Sequence, residues 1–481
     1  MSAAGAPEQL WRRDPQGPER TAPLRVVEES SPAAAAFAEL LEQLASVCAS
    51  AVDPLEIAAA LESEGIGDLQ AARYGHDSVF SLADAAFAAT ERHPPELEPP
   101  ADPWGGRSGA PVLHALCYGL PAVCFPAAGS LLRGPVLAVL LVALLASWSA
   151  TQAVGQLGYS RLGGAEPAEA LGVLRLAGAG AAVVVAVAVM TTALVTHAEA
   201  GVWAFALGEG AYMAGASILL TLGHDKALLA TLAPGTVAGV LFLASARPAD
   251  TSAVTWVLLA MTPASAVAVA AVRTRHQGPR PRLRPAELSA ALPAAGFGLV
   301  AASLLTLPII AGAHGRGGPN PGAVLAAVPI SLSMGVGEWR LLWFRRRGQA
   351  LLRNTVEPRR FAFRARAALV LATGEYAVAA AALLAGAAAI AQGAGLLRVT
   401  PGVTLELAGY LLLATAMFLA LTLQALGARA VPLAVGAAAA GGELVCLRLG
   451  VAALLATASL FLVALAAYGL QQLGRATRHG F

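Results

Sequence analysis

Two glutamates lie inside long apolar stretches of the sequence, where an ionised side chain is expensive. Glu209 occurs in FALGEGAYMAG and Glu375 in LATGEYAVAAA; each follows a glycine, and each has a tyrosine close by, Tyr212 and Tyr376. A charged side chain at the centre of a bilayer costs at least about 2.5–3.5 kcal/mol on insertion scales, so it needs a reason. A carboxylate there can load and release a proton or accept hydrogen bonds from sugar hydroxyls. We therefore predict that Glu209 and Glu375 line a cavity for substrate binding or cation coupling, with their tyrosines.

The alternative is structural, with each glutamate packing helices as a neutral or an arginine-paired group. Arg175 is nearly alone among the basic residues in the apolar stretches, and it is the nearest candidate partner for the two glutamates. Gln152 is a further candidate for the cavity wall. Glu406 and Glu443 lie near the ends of their apolar stretches, so we expect them at the membrane interface.

A third carboxylate stands in MGVGEWRLLWFRRR, residues 334–347, where an apolar stretch ends among aromatic and basic residues. Tryptophans favour the membrane–water interface and arginines the cytoplasmic side. We predict that Glu338 pairs locally with Arg340 or Arg345 and that the segment after residue 347 lies along the anionic inner leaflet. A sharper alternative is that the segment binds the head group of an anionic carrier lipid or a polysaccharide. The interface candidates are Glu338, Arg340, Arg345, Arg346 and Arg347.

The composition explains why these charges are sparse. Of the 481 residues, 57% are hydrophobic and only 13% are charged, against about a quarter charged in an ordinary soluble domain. The mean hydropathy is +0.64, which indicates that much of the surface faces lipid. The net charge of +2 gives no indication of nucleic-acid binding.

The apolar residues fall into stretches that match the thickness of a bilayer, which needs about 20 residues of helix. We predict an all-α polytopic membrane protein with about 12 transmembrane helices in two six-helix bundles. The first stretch contains three prolines and could instead be re-entrant. The predicted spans are 109–129, 134–155, 170–196, 200–222, 226–246, 254–272, 288–313, 321–343, 366–392, 402–426, 430–447 and 450–472.

Residues 1–108 have a different, polar composition. Asp53-Pro54 predicts a helix start, Gly65 its end and Asp77 the start of another helix, with Leu55 and Phe80 among the residues of a small core. The predicted domains are a disordered tail (1–32), a small cytosolic helical domain (33–92), a linker (93–108), a first membrane bundle (109–272), a basic cytosolic loop (273–287), a second membrane bundle (288–472) and a cytosolic tail (473–481).

Basic residues orient the predicted helices. They concentrate in two groups, residues 273–284 and 340–366, while the alternate loops carry single arginines such as Arg133 and Arg398. Cytoplasmic loops are enriched in Lys and Arg. We therefore expect a multi-pass protein of the cell inner (cytoplasmic) membrane with both termini in the cytoplasm.

The two halves contain a similar turn at equivalent places, LLTLGHDKALLATLAPGTVAG after the fourth span and LQALGARAVPLAVGAAAAG after the tenth. With two sets of six spans, very short outside loops and SMGVGEWRLLWFRRRGQALLRN after the eighth, residues 109–472 resemble the multidrug/oligosaccharidyl-lipid/polysaccharide (MOP) exporter superfamily. The branch they most resemble is the polysaccharide flippases, the Wzx-like or PelG-like proteins. The resemblance implies alternating access, in which two lobes rock around a central cavity and move a glycan or lipid-linked glycan outward.

The motifs of common enzyme classes are missing from the sequence. It has no Walker A, G-x-S-x-G or H-E-x-x-H pattern, and its four cysteines have no zinc-site spacing. We therefore expect a transporter and not an enzyme, with no cofactor and no metal, whose partners are membrane lipids and a glycan substrate. Two alternatives are a proton- or cation-coupled small-molecule efflux antiporter and a non-transporting subunit of a polysaccharide synthase complex. In the latter, the N-terminal region would dock glycosyltransferase or other synthase subunits.

The orientation can be tested with cysteine labelling. A single cysteine in the basic segment 273–287, in a background without the native cysteines, should resist a membrane-impermeant maleimide until the cells are permeabilised, because positive loops stay in the cytoplasm. A cysteine in the predicted outside segment 314–320 should react in intact cells. Labelling of segment 273–287 from outside would overturn the orientation.

Overall fold

The computed structural model describes residues 32–51, 53–90, 110–124, 137–163, 167–244, 253–275, 282–316, 321–355 and 357–473. All regular structure within these residues is helical, as expected for the all-α class. The chain divides into two compact units, Met1–Gly106 and Arg107–Phe481. The predicted disordered tail and linker, the middle of the basic loop and most of the C-terminal tail lie outside the described residues.

The first unit is a small set of short helices with its own core. Leu61 and Leu82 are fully buried in it, and Leu55 N donates to the Asp53 side chain at 2.9 Å, as the Asp-Pro pair predicts. Three details differ from the sequence expectation: Ser78 and not Asp77 caps the helix that begins at Val79, and both Leu55 and Phe80 are exposed. Phe80 directly follows the buried Val79, so it points to another side of the helix. The helices are α1 (Pro32–Gln43), α2 (Ala45–Ser50), α3 (Pro54–Ser63), α4 (Asp68–Ala71), a 3-10 turn (Ala72–Tyr74) and α5 (Val79–Ala89).

The second unit contains the apolar helices. Proline stands at the first position of five of its long helices, where its missing N–H breaks no helical hydrogen bond. The helices are α6 (Ala110–Gly119), α7 (Pro121–Cys124), α8 (Leu137–Leu162), α9 (Pro167–Thr196), α10 (Ala200–Thr221), α11 (Asp225–Ala244), α12 (Ala253–Arg273), α13 (Pro285–Arg316), α14 (Pro321–Asn354), α15 (Pro358–Gly393), α16 (Pro401–Ala425), α17 (Ala430–Val445), a 3-10 turn (Leu447–Leu449) and α18 (Val451–Gln472).

Ten of the described helices, α8 to α16 and α18, are long and apolar enough to cross a bilayer. The chain therefore has the architecture of a multi-pass integral membrane protein. The count of twelve is not confirmed. The first predicted span is interrupted between the 10-residue α6 and the 4-residue α7, and α17 has 16 residues, or about 24 Å against a hydrocarbon core of about 30 Å.

The packing joins the two predicted halves along two seams. In the first, α13 packs along α8, where Ser149 Oγ donates to the carbonyl of Ala295 at 3.0 Å. In the second, α6 packs on α14. Glycines allow both approaches: a Cβ on Gly298 would lie 2.5 Å from the carbonyl oxygen of Trp148, and one on Gly335 would overlap the carbonyl oxygen of Pro111. The arrangement as two six-helix bundles is therefore not confirmed either.

The basic segment after residue 347 does not form a separate surface helix. It continues α14 as far as Asn354, and α15 begins at Pro358. At about 1.5 Å per residue, the 34 and 36 residues of these helices span roughly 51 and 54 Å, well beyond a hydrocarbon core. Leu351, Phe361 and Ala365 are buried together, so α14 and α15 pack against each other beyond the apolar stretch.

The α6–α14 seam gives a direct test of the packing. Gly335→Ala should destabilise the protein by about 1–3 kcal/mol, because the new methyl group overlaps backbone atoms that cannot yield easily. The matched control is Gly374→Ala in α15, where an added Cβ meets nothing within 4 Å. Thermal unfolding in detergent micelles should show a lower Tm for the first variant alone. Equal Tm values for the two variants would contradict this packing.

Candidate functional site

Glu375 forms an ion pair with Arg340, which joins α15 to α14. The guanidinium of Arg340 also lies over the ring of Trp339, 3.9 Å from its centroid. The side chain of Arg340 is 13% exposed and that of Glu375 is 41% exposed, so the pair stands at the edge of the packed helices. The partner of Glu375 is thus Arg340 and not Arg175, and Arg340 is not the local partner that was expected for Glu338.

Tyr376 points away from this pair. It is 4% exposed, its hydroxyl lies 2.9 Å from Ser333 Oγ, and its ring stacks on Phe418 with centroids 4.6 Å apart. Successive residues of a helix differ in direction by about 100°, which explains why Glu375 is exposed while Tyr376 is in the core. Tyr376 therefore packs helices and does not share a site with Glu375.

Glu209 lies on α10, where its Oε2 is buried and has no hydrogen-bond partner among the described residues. Tyr212, on the same helix, is part of an apolar cluster with Cys117 and Leu219. Arg175 is exposed on α9, and none of the ion pairs in the described part of the chain joins it to Glu209 or Glu375. The helix α10 packs on α8, α9 and α12, whereas α15 packs on α14 and α16. The two glutamates therefore lie in different parts of the helix packing.

Gln152 lies at the α8–α13 seam. The side chain is exposed, and its Cγ would come within 2.8 Å of a Cβ on Gly298. It thus lies where α8 meets α13, and its place in a cavity wall stays a prediction.

The partner of Glu338 is distant in sequence and not local. Its Oε2 contacts Nδ1 of His114 on α6, 224 residues away. On the other edge of the imidazole, Nε2 lies 3.0 Å from Oδ1 of Asp225, the first residue of α11, although these two atoms lack hydrogen-bond geometry. Sequence reasoning missed His114 and Asp225; the available signal was a histidine within an apolar stretch and an aspartate at a helix start.

Arg161 forms a second linkage that sequence reasoning missed. It is 8% exposed at the end of α8, and Nη1 donates to Glu169 at the start of α9 at 2.8 Å. Its Nε lies 2.7 Å from Oε1 of Glu287 at the start of α13, and Nη2 donates to Oε2 of the same carboxylate at 3.0 Å and to the carbonyl of Arg282 at 3.2 Å. Bidentate arginine–carboxylate pairs are among the stronger ionic contacts. Arg161 thereby fixes three helix ends together.

The remaining interface candidates lie on the outer part of the α14–α15 pair. Arg345 is half-buried, and Arg346 and Arg347 are exposed. On the first turns of α15, an open depression is lined by Arg359, Arg360, Phe363 and Arg364. Cationic and aromatic side chains around an open depression suit an anionic head group with an apolar tail.

Glu406 and Glu443 are both buried, with an exposure of only 2% each. Glu406 Oε2 accepts a hydrogen bond from the backbone N–H of Gly322 at 2.8 Å, near the start of α14, and a carboxylate is favourable at a helix N-terminus. Glu406 therefore caps the start of α14, a role beyond its predicted place at the membrane interface, which stays a prediction.

Comparisons with family models, curated proteins and solved structures give no match for this chain. The chemistry of the site therefore rests on its geometry. The described residues offer a charged pair beside an exposed tryptophan, a buried carboxylate and a histidine between two carboxylates. These groups can bind hydroxyl-rich or charged ligands and can exchange protons.

The Arg340–Glu375 pair can be tested by a double-mutant cycle. Arg340→Gln and Glu375→Gln should each lower the Tm in micelles, and the cycle should give a coupling of about 0.5–2 kcal/mol, as for polar contacts between membrane helices. The charge exchange Arg340→Glu with Glu375→Arg should recover most of the loss. The control is the exposed pair of Glu357 and Arg360, with a coupling below about 0.5 kcal/mol. Equal coupling energies for the two pairs would contradict the conclusion that the Arg340–Glu375 pair joins α14 to α15 more strongly than an exposed pair does.

Proposed function

We propose that this protein is an integral membrane transporter that exports or flips a polysaccharide or a lipid-linked glycan by alternating access. The observation that carries the proposal is the presence of carboxylates inside candidate spans. Glu209 has a buried oxygen without a partner among the described residues, and Glu375 is held by Arg340. Ionisable residues within membrane spans are rare and mark substrate or ion pathways.

The surroundings of Glu375 favour a sugar as the ligand. Trp339 is 55% exposed and lies beside the Arg340–Glu375 pair. An indole face offers an apolar platform to a sugar ring, while a guanidinium and a carboxylate donate to and accept from its hydroxyls. The depression lined by Arg359, Arg360 and Arg364 supports an anionic lipid carrier, because its head group would be drawn to this cationic end of the α14–α15 pair.

The proposed mode of transport is the one that the resemblance to the MOP exporters implies, and the two seams are where the predicted halves would meet. Helices α8 and α13, and α6 and α14, are the elements that would separate and rejoin as the lobes rock. Five prolines lie inside helices, and such positions allow bends: Pro234, Pro263, Pro293, Pro308 and Pro329.

We place the protein in the inner membrane with both termini in the cytoplasm, without a cofactor and without catalysis. The N-terminal helical unit would dock a glycosyltransferase or another synthase subunit of exopolysaccharide biosynthesis.

A proton- or cation-coupled small-molecule antiporter is the second candidate function. The unpartnered oxygen of Glu209 favours it, because a buried carboxylate without a fixed partner can exchange a proton for a cationic substrate. A non-transporting subunit of a synthase complex is the third, and the separate core of the N-terminal unit favours a docking role.

A proteoliposome assay separates these functions. The purified protein should move a fluorescent polyprenyl-diphosphate-linked oligosaccharide across the bilayer, detected by loss of protection from a membrane-impermeant quencher. Glu209→Gln and Glu375→Gln should each slow this movement on the order of tenfold, because each removes a carboxyl group from the proposed pathway. The matched control is Glu199→Gln, an exposed position just before α10, which should keep the wild-type rate.

The outcomes distinguish the three candidates. Movement of ethidium driven by a pH gradient, without movement of the glycan lipid, would replace the glycan proposal with the antiporter. Movement of neither probe by well-folded protein would leave the non-transporting subunit. Unchanged glycan movement in both glutamate variants would remove Glu209 and Glu375 from the pathway.

A further inference from the structure

His114 lies between two carboxylates contributed by two other helices. Its Nδ1 hydrogen-bonds Glu338 on α14, and its Nε2 lies 3.0 Å from Asp225 at the start of α11. The three side chains are shielded from the surroundings, with exposures of 13% for His114, 9% for Asp225 and 24% for Glu338. The imidazole of His114 therefore lies within contact distance of both shielded carboxylates.

The protonation state of the imidazole decides whether it attracts both neighbours. An imidazolium carries a hydrogen on each ring nitrogen, whereas a neutral imidazole carries only one and turns a lone pair to its other neighbour. With the proton, the cluster of one cation and two anions has a net charge of about −1, and without it about −2. Because charges in shielded surroundings interact strongly, loss of one proton turns an attraction across the imidazole into a repulsion between α11 and α14.

The other titratable groups that face the cluster do not supply a positive charge. They are Cys117 and Tyr118 on α6 and Tyr159 on α8. The ring of Tyr118 meets the imidazole edge-on with centroids 6.3 Å apart, and Cys117 Sγ points at the backbone carbonyl of Asp225. Cysteine and tyrosine side chains are uncharged near neutral pH. Among these groups, His114 is therefore the one that supplies a positive charge to the two carboxylates.

The arrangement suits a proton and not a metal ion. The two carboxylates lie at opposite edges of one ring, so the three side chains do not converge on a single point. Accordingly, no group of three or more His, Cys, Asp and Glu among the described residues has the geometry to hold a metal ion.

The cluster lies on the α6–α14 seam. Gly335, one helical turn before Glu338, packs against Pro111 and Ala115 of α6, and Gly119 at the end of α6 packs against Leu332. At Gly335 the contact is with the backbone of α6, and at Gly119 it is with the side chain of Leu332, so α6 and α14 pack closely at both glycines. A change in the attraction between His114 and Glu338 acts directly on this fit.

We propose that His114, Asp225 and Glu338 form a proton-binding site that holds α14 against α6 and α11 while the proton is bound, and that release of the proton opens this seam. The inference rests on the proposed transport function for its purpose but not for its geometry. The site makes proton movement the driving or gating event of the transport cycle. The residues that bind this proton are distinct from Glu209 and Glu375, which remain available to the substrate.

The test is the pH dependence of stability, which needs no transport substrate. The Tm of the purified full-length protein in micelles is measured from about pH 5 to about pH 9 for wild type and for His114→Gln, since an unperturbed histidine titrates within this range. Wild type should lose several degrees as the pH rises and the cluster loses its proton. His114→Gln should lose most of this dependence. The matched control is His224→Gln, which removes the histidine next to Asp225 in sequence and should titrate like wild type.

A second variant keeps the test decisive if His114→Gln does not fold. Glu338→Gln preserves the shape of the side chain but removes one of the two charges, so the fall of Tm with pH should be reduced. The same pH dependence in wild type, His114→Gln and His224→Gln, or an unchanged dependence in Glu338→Gln, would overturn the proposal. If the titration follows His114 but proteoliposomes move neither probe, the proton site stands and the proposed transport function fails.

Discussion

An ionised side chain cannot be left without a partner in the apolar interior of this helix assembly, and this constraint organises its charged residues. Arg340 meets Glu375, Arg161 meets Glu169 and Glu287, and His114 meets two carboxylates. Where a charge is well shielded from water, as at Arg161 and His114, removing its partner costs more than the pair contributes, because the remaining charge is left desolvated. The pairs therefore act as constraints on which helices can be neighbours, and any rearrangement of the helices has to exchange or neutralise them.

The second constraint is steric, and it works with the first. Glycine at positions 298, 322 and 335 removes the side chain where a neighbouring group approaches. At Gly322 the approaching group is Glu406, whose carboxylate reaches the start of α14 because no Cβ is in the way. Close backbone approach and ionic pairing thus occur at the same helix contacts. Because the two kinds of contact coincide, the gain or loss of a proton at an ionic contact would also change how closely the two helices pack.

The α14–α15 pair combines three properties that bear on function. It extends past the thickness of a hydrocarbon core, it carries the arginine-rich surface of the chain, and it holds the Arg340–Glu375 pair beside an exposed tryptophan. One end is suited to an anionic head group and the middle to a hydroxyl-rich ligand. The cluster at His114 contacts α14 on the side of α6. The same helix therefore links the proposed ligand surface to the proposed proton site.

The sequence by itself determined the helical class, the membrane character and many helix ends, because hydropathy, proline at the first helical position, and caps such as Asp53 act over a few residues. Gly65 ends α3 with a positive φ of 80°, as its lack of a Cβ allows. What only the tertiary structure decided was which charges meet. Arg340 and Glu375 are 35 residues apart and His114 and Glu338 are 224 apart, while Glu406 and Gly322 are joined through a cap invisible to local patterns. Apolar helices of similar composition can pack in many orders. The choice among them comes from shape and pairing between distant segments, which periodicity along one segment does not encode.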